Sequence, residues 1–284
     1  FWGWVLAARS DLQEKDTVLG MFANAVANYS EGQPGRAWRS VEDTTYDPIT
    51  NSRRPLPYSS LQRSEDYYVE GALTWLEADQ IIREGTRGRK GLDDFAKAFF
   101  GKSDGDWGVS TYDFDEIVET LNAIYPYDWA EFLDTRLRQP DQPAPVRGLE
   151  KAGYRLVWKD TPNPYAEGRS SSGKSLDLFY SLGVVLDGDG KVSSTLWDGP
   201  AFDAGIVNGA TIVAVNGDAY SKDVIRDAVT AAKDGSEPIT LLVKRGERFD
   251  TLEIPYHGGL RYPWIEPVSG GTQGLDRLLA ARTK

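Results

Sequence analysis

The 284-residue chain has no cysteine and a single histidine. Without cysteine it can form neither a disulfide nor a thiolate metal site, and the redox compartment is left open. One imidazole, His257, cannot supply the two or three that a catalytic zinc site ordinarily uses. Nor is there a Gly-x-Ser-x-Gly elbow to carry a serine nucleophile beside it. No run approaches the roughly eighteen apolar residues that cross a bilayer. Positive charge is in deficit, 32 Lys and Arg against 43 Asp and Glu for a net charge of −11. That balance argues against a nucleic-acid backbone or an anionic membrane as the main partner. What the chain has in quantity is aromatic surface to bury: nine Trp and fourteen Tyr, with 40% apolar residues, in a length that suits two globular domains.

The first part of the chain has helical period. Phe1–Arg9 is apolar and helix-compatible, and Ser10-Asp11-Leu12-Gln13 fits a capping box before a helix running to about Tyr29. Residues 30–63, with Pro34, Pro48, Pro55 and Pro57, read as a long connection of the kind that is often functional. A long helix follows, with Ser64 as N-cap and Glu65 and Asp66 at the positive end of its dipole. Tyr68, Ala72, Trp75, Leu76 and Ile82 form its apolar stripe, and it ends near Gly85. Tyr67 and Tyr68 point about 100° apart on such a helix, so one phenol is left for another surface or a cleft. Gly71 in the helix interior suggests a close approach by a neighbour. Leu92–Phe100 reads as a short amphipathic helix. Asp113 caps one more through about Ala123, and Asp128 another from Trp129 to about Leu137. The carboxylates Asp93, Asp94, Asp113, Asp115 and Glu116 sit at helix starts and need no further role. Asp79 and Arg83 read as a surface i,i+4 ion pair.

Gln139–Pro145, with three prolines, is the clearest linker. Beyond it the period changes to two. Strands are expected at Tyr154–Trp158, Leu182–Leu186, Lys191–Leu196, Thr211–Val215, Ile239–Lys244 and Thr251–Ile254. Asp187-Gly188-Asp189-Gly190 is a hairpin turn, and short helices fit Ala201–Gly205 and Lys222–Ala232. Ser170–Ser175 ends in Gly-Lys-Ser but lacks the upstream glycine of a phosphate loop, so it reads as a flexible loop. The expected division is a helical domain over 1–138, a linker over 139–146, a β-rich domain over 147–257 and a C-terminal tail over 258–284. The fold class is multidomain α + β, with an N-terminal all-α domain followed by a β-rich one.

The β-rich part carries Gly199-Pro200-Ala201, Ala204-Gly205-Ile206, Asn208-Gly209 and a strand ending in Asn216-Gly217. This order resembles the PDZ signature, departing from it at Ala210, where an Asp is usual. The resemblance implies binding of a peptide C-terminus by strand addition, with backbone N–H groups of Leu182, Gly183 and Val184 facing the terminal carboxylate.

Taken together, Phe1–Arg9, Pro34-Gly35-Arg36-Ala37-Trp38-Arg39, Asp66-Tyr67-Tyr68-Val69-Glu70-Gly71, Leu92-Asp93-Asp94-Phe95 and the PDZ-like signature resemble the glycyl aminopeptidase family, zinc metallopeptidases of the gluzincin type with a C-terminal PDZ domain. In that family zinc is held by a His-Glu-x-x-His helix and a downstream Glu, none of which is in this sequence. The resemblance places the last ligand just before Phe1, so the chain is expected to be the C-terminal half of the enzyme. Zinc would belong to the parent and not to this chain, and the fragment alone is expected to be inactive. Tyr68-Val69-Glu70-Gly71 resembles the stretch whose Tyr donates a hydrogen bond to the oxyanion in related aminopeptidases. It differs at the two middle positions, and Tyr67 is the substitute candidate. The resemblance further implies a peptide substrate with a small N-terminal residue, the upstream catalytic half as covalent partner, and a periplasmic or secreted setting. The competing expectation is a non-catalytic scaffold, a helical domain with a PDZ unit that grips peptide termini.

Overall fold

The computed structural model describes residues 1–47, 58–103, 105–271 and 273–281. Of the long connection, Pro48, Pro55 and Pro57 lie outside the described residues. Its other parts form compact turns: a π turn at Asn28–Gly32 and 3-10 turns at Pro34–Ala37 and Glu42–Tyr46.

Helices α1 (Trp2–Arg9) and α2 (Lys15–Ala27) open the chain. Ser10 does not begin α2 as the capping-box reading expected. It closes α1, its hydroxyl donating to the Leu6 carbonyl at 2.7 Å. Asp11 takes a left-handed φ of 56° and Gln13 N–H bonds back to Ala7 O, so residues 10–13 wrap the end of α1 and cannot start a helical turn. The short α3 (Ser59–Gln62) precedes the long α4 (Asp66–Gly85). Here too the expected cap fails. Glu65 enters α4 with φ 53°, which carries the Ser64 side chain away from the first-turn amides, and its Oγ is buried without a partner among the described residues. The buried apolar face of α4 is Ala72, Leu73, Leu76, Ala78, Ile81 and Ile82. Tyr68 is off it, 67% exposed, and Gly71 has open space where a Cβ would sit.

Helices α5 (Leu92–Phe100), α6 (Phe114–Ile124) and α7 (Trp129–Arg138) follow the sequence reading closely. Asp113 accepts from Glu116 N–H at 2.9 Å and Asp128 from Glu131 N–H at 3.2 Å, so these two caps are formed. The three helices and the C-terminal half of α4 enclose one core, with Trp129, Phe95, Phe99 and Leu121 at its centre.

The second core moves the expected domain boundaries. It joins α1, α2 and the first half of α4 to Leu149, Ala152, Tyr154, Ile265, Leu275, Leu278 and Leu279. After the linker the chain returns to α4 through α8 (Arg147–Lys151), where Gly148 lies so close that a Cβ would stand 2.6 Å from Glu77 N. Strand β1 (Tyr154–Lys159) then pairs antiparallel with β9 (Tyr262–Pro267), and this two-stranded ribbon packs on α2. The segment expected as a tail supplies β9 and the buried α12 (Gly274–Leu279). It is held because its leucines at i, i+3 and i+4 complete the apolar face that α1 and α2 leave open.

Between β1 and β9 lies the β-rich unit with its own core. Ser170–Gly173, expected as loop, is the end of helix α9 (Pro164–Gly173), which Pro164 and the Asn163 cap initiate. One sheet has the order β2 (Leu176–Leu178), β3 (Val184–Leu186), β4 (Val192–Thr195). The other has the order β6 (Asp218–Ala219), β5 (Thr211–Val215), β7 (Ile239–Arg245), β8 (Arg248–Ile254). Helices α10 (Pro200–Asp203) and α11 (Lys222–Ala232) cover the unit. Asp187 accepts from the N–H groups of Asp189 and Lys191 in the β3–β4 hairpin. Asn216 and Gly217, at φ 50° and 94°, make the tight β5–β6 turn.

Candidate functional site

The first turn of α4 carries the tyrosine pair on a frame of buried charge. Asp66 and Glu70 point inward, 6% and 3% exposed, four residues apart on one face. Between them lies Arg63, itself 2% exposed. Its Nε donates to Asp66 Oδ2 at 2.6 Å, one terminal nitrogen pairs with Glu70 Oε2, and the other donates to the Arg39 carbonyl. Arg36 Nε donates to Glu70 Oε1 at 2.9 Å, and Tyr29 Oη donates to Asp66 Oδ1 at 3.2 Å. Burial raises the Asp66 carboxyl above the ordinary range, partly offset by Arg63. Burial also lifts the Tyr29 phenol well above its ordinary value. Sequence reading missed this network, because buried carboxylates and arginines on a helix are written like surface ones.

Further along the same helix, Glu77 is fully buried between Arg136 (2.8 Å) and Arg147 (3.6 Å). Asp79, expected on the surface, is also fully buried. It accepts from Arg83 Nε at 2.6 Å and from Leu92 N–H at 2.9 Å, so it caps α5 from a neighbouring helix. The inner face of α4 is thus a row of acids met by arginines, Arg36 and Arg63 from before the helix, Arg136 and Arg147 from beyond it, and Arg83 from within it.

With the inner face so fixed, the phenols of Tyr67 and Tyr68 are left outward. Their rings lie 4.5 Å apart, tilted by 37°. Tyr68 is exposed and Tyr67 half-buried. The Tyr67 phenol is raised above its ordinary value, first by partial burial and then by its contact with Tyr68 and nearby carboxylates, so it stays protonated at neutral pH. The outward aim of Tyr68 follows from sequence position, two residues past Asp66 and two before Glu70, once those acids are known to face in.

Beside this frame a cleft of about 1030 Å³ opens between the helical part and the β-rich unit. Trp4, Met21, Asn24, Val69, Tyr165 and Phe179 line parts of it. Neither Tyr67 nor Tyr68 does.

The expected carboxylate-binding residues Leu182, Gly183 and Val184 do meet in one turn, and all are buried. Gly183, at φ 83°, does not offer its N–H outward, since it bonds to Leu178 O at 3.1 Å. No group of three or more His, Asp and Glu among the described residues could hold a metal ion. His257 lies far along the chain with Nδ1 2.9 Å from Ala232 O, at the end of α11. The acids of α4 are already paired with arginines, so the residues present do not fit a zinc site.

A sequence model of the M61 glycyl aminopeptidase family matches residues 1–74, which include α1, α2 and the tyrosine pair. Comparison with curated proteins gave no match. Among solved structures, an aminopeptidase N family protein from Idiomarina loihiensis is similar over 100% of this chain at 16% identity and a TM-score of 0.65. The chain spans 47% of the length of that protein. The HtrA3 PDZ domain bound to a phage-derived ligand aligns with 42% of this chain and 95% of its own, at 18% identity and a TM-score of 0.21, a value that does not imply a shared topology. The mixed helical and antiparallel fold is therefore shared with that aminopeptidase-family structure, and residues 1–74 are the stretch of this chain that is similar to the M61 glycyl aminopeptidase family.

Proposed function

We propose that this chain is the C-terminal portion of a zinc-dependent aminopeptidase acting on peptides with a small N-terminal residue, and that it contributes a substrate-facing phenol rather than the metal site. The observation that carries the reading is the family match over residues 1–74 ending just beyond Tyr67 and Tyr68, a pair held outward by a buried ion network. Zinc, when bound by the rest of the parent, would polarise the scissile carbonyl. The part assigned to this chain is narrower. Tyr68 donates a hydrogen bond to the oxygen on which charge develops, a role open to an exposed phenol held outward on a fixed helix turn. The family match and the 47% share of the similar structure support the placement of these residues in a longer enzyme. The β-rich unit is PDZ-like in this reading, by the Pro200, Gly205, Gly209 and Asn216-Gly217 positions, with Gly205 and Gly209 at φ 88° and 85°.

Assayed alone on a glycyl-anilide substrate with added zinc, the chain is expected to show no turnover, while the longer protein containing it is active. Zinc-dependent hydrolysis by the isolated chain would contradict the reading.

A further inference from the structure

In the β-rich unit strand β3 has an edge of the kind that takes an extended peptide, and the chain itself covers it. Strand β2 lies along β3 in antiparallel register, Leu176 opposite Leu186, Asp177 opposite Val185 and Leu178 opposite Val184. Since β4 takes the other edge, β3 has no free edge left. Leu176 and Leu178 alternate inward, 3% and 1% exposed, into the core that holds Ile225 and Val229 of α11. The Lys222 ammonium at the start of α11 donates to the carbonyls of Lys174 and Ser175 and so ties down the entry to β2.

The end of β2 is the informative part. Its last carbonyl, Leu178 O, accepts from Ser181 N–H and Gly183 N–H, both at 3.1 Å. Two amides of one loop, at alternate positions, converge on this oxygen and make a small nest suited to an anionic group, a peptide's terminal carboxylate among them. Direction agrees as well, for β2 runs with its C-terminal end at the nest. Leu178 stands where a bound peptide's last residue would, with its side chain buried and its carbonyl oxygen in the amides.

We propose that Lys174–Leu178 is an internal ligand of this edge, and that a free peptide C-terminus of the type Leu-x-Leu pairs with it only when β2 is displaced. The tethered strand competes as an intramolecular ligand, so the apparent affinity for free peptide is reduced by the fraction of molecules in which β2 has left.

The absence of cysteine makes a direct test possible. The full chain carrying Asp177→Cys and Val185→Cys forms one cross-strand disulfide that locks β2 in place. The probe is a fluorescein-labelled Lys-Ser-Leu-Asp-Leu peptide with a free C-terminus, read by anisotropy. Leu176→Ser with Leu178→Ser opens the edge. Lys222→Ala loosens the entry without touching the core, and serves if the first variant does not fold by circular dichroism. The expected results are weak binding by the unmodified chain and binding at least tenfold tighter in an opened, folded variant. The oxidised lock should show none, and reductant should restore it. Equal binding by the oxidised lock and the unmodified chain would overturn the proposal, as would a folded Lys222→Ala chain that binds no better than the parent sequence.

Discussion

Replacing Arg63 by Met tests whether the buried ion network holds the first turn of α4. Arg63 is the only side chain that touches both Asp66 and Glu70 through hydrogen bonds among the described residues. Its removal leaves Asp66 with the Tyr29 hydroxyl at 3.2 Å and Glu70 with Arg36 at 2.9 Å. Breaking a buried ion pair costs about 3–5 kcal/mol because an uncompensated charge remains. The surviving partners put this case near the low end, at about 3 kcal/mol, within a total stability of about 5–15 kcal/mol. In thermal unfolding that corresponds to a loss of roughly 6–12 °C for a chain of this size. The pH dependence has a definite sign. Burial raises the Asp66 pKa in the folded protein, so the native state binds more protons than the unfolded one above the unfolded value of 3.8. Stability therefore falls as pH rises from there through the folded pKa. Without Arg63 the upward shift grows, and the deficit of the variant should be larger at pH 7 than at pH 5. Urea unfolding at both pH values measures it. A loss under about 1 kcal/mol at pH 7, typical of an exposed pair, would refute the reasoning.

Two other substitutions probe packing and capping. Gly148→Ala should cost about 1–3 kcal/mol, since its Cβ would press on Glu77 N at 2.6 Å and Cα at 2.9 Å, backbone atoms that cannot turn aside; denaturant midpoints of the two chains measure this. Ser64→Ala should be neutral or stabilise by up to about 1 kcal/mol, because its Oγ has no partner among the described residues. Were Ser64 a working N-cap, the same change would instead cost about 1 kcal/mol, and melting temperatures distinguish the two.

Local chemistry was the legible part of this fold. The bounds of α5 and α11, the Asp113 and Asp128 caps, the Asp187 hairpin and the Asn216-Gly217 turn all follow from residues that interact within a few positions. Misreadings arose where distant segments decide. Ser10 is drawn to α1 rather than α2, and Glu65 takes a left-handed turn that redirects Ser64. The three residues of β2 are too short a run to announce a strand, and they are ordered by the β3 edge they cover. The terminal segment looks like a tail until the surfaces of α1 and α2 are seen to need Leu275, Leu278 and Leu279. For the candidate site, the tyrosine pair was visible by resemblance. Its outward aim was not, because that depends on Arg36 and Arg63 arriving from outside the helix.

The most direct test of the account is steady-state hydrolysis of a glycyl-anilide by the longer protein that contains this chain, with Tyr68→Phe and Tyr67→Phe compared at neutral pH. Loss of an oxyanion donor should lower kcat by about 10²–10³ with little change in KM, and only for Tyr68→Phe. A Tyr68→Phe enzyme within a factor of three of the unmodified one, or a larger loss from Tyr67→Phe, would contradict the assignment.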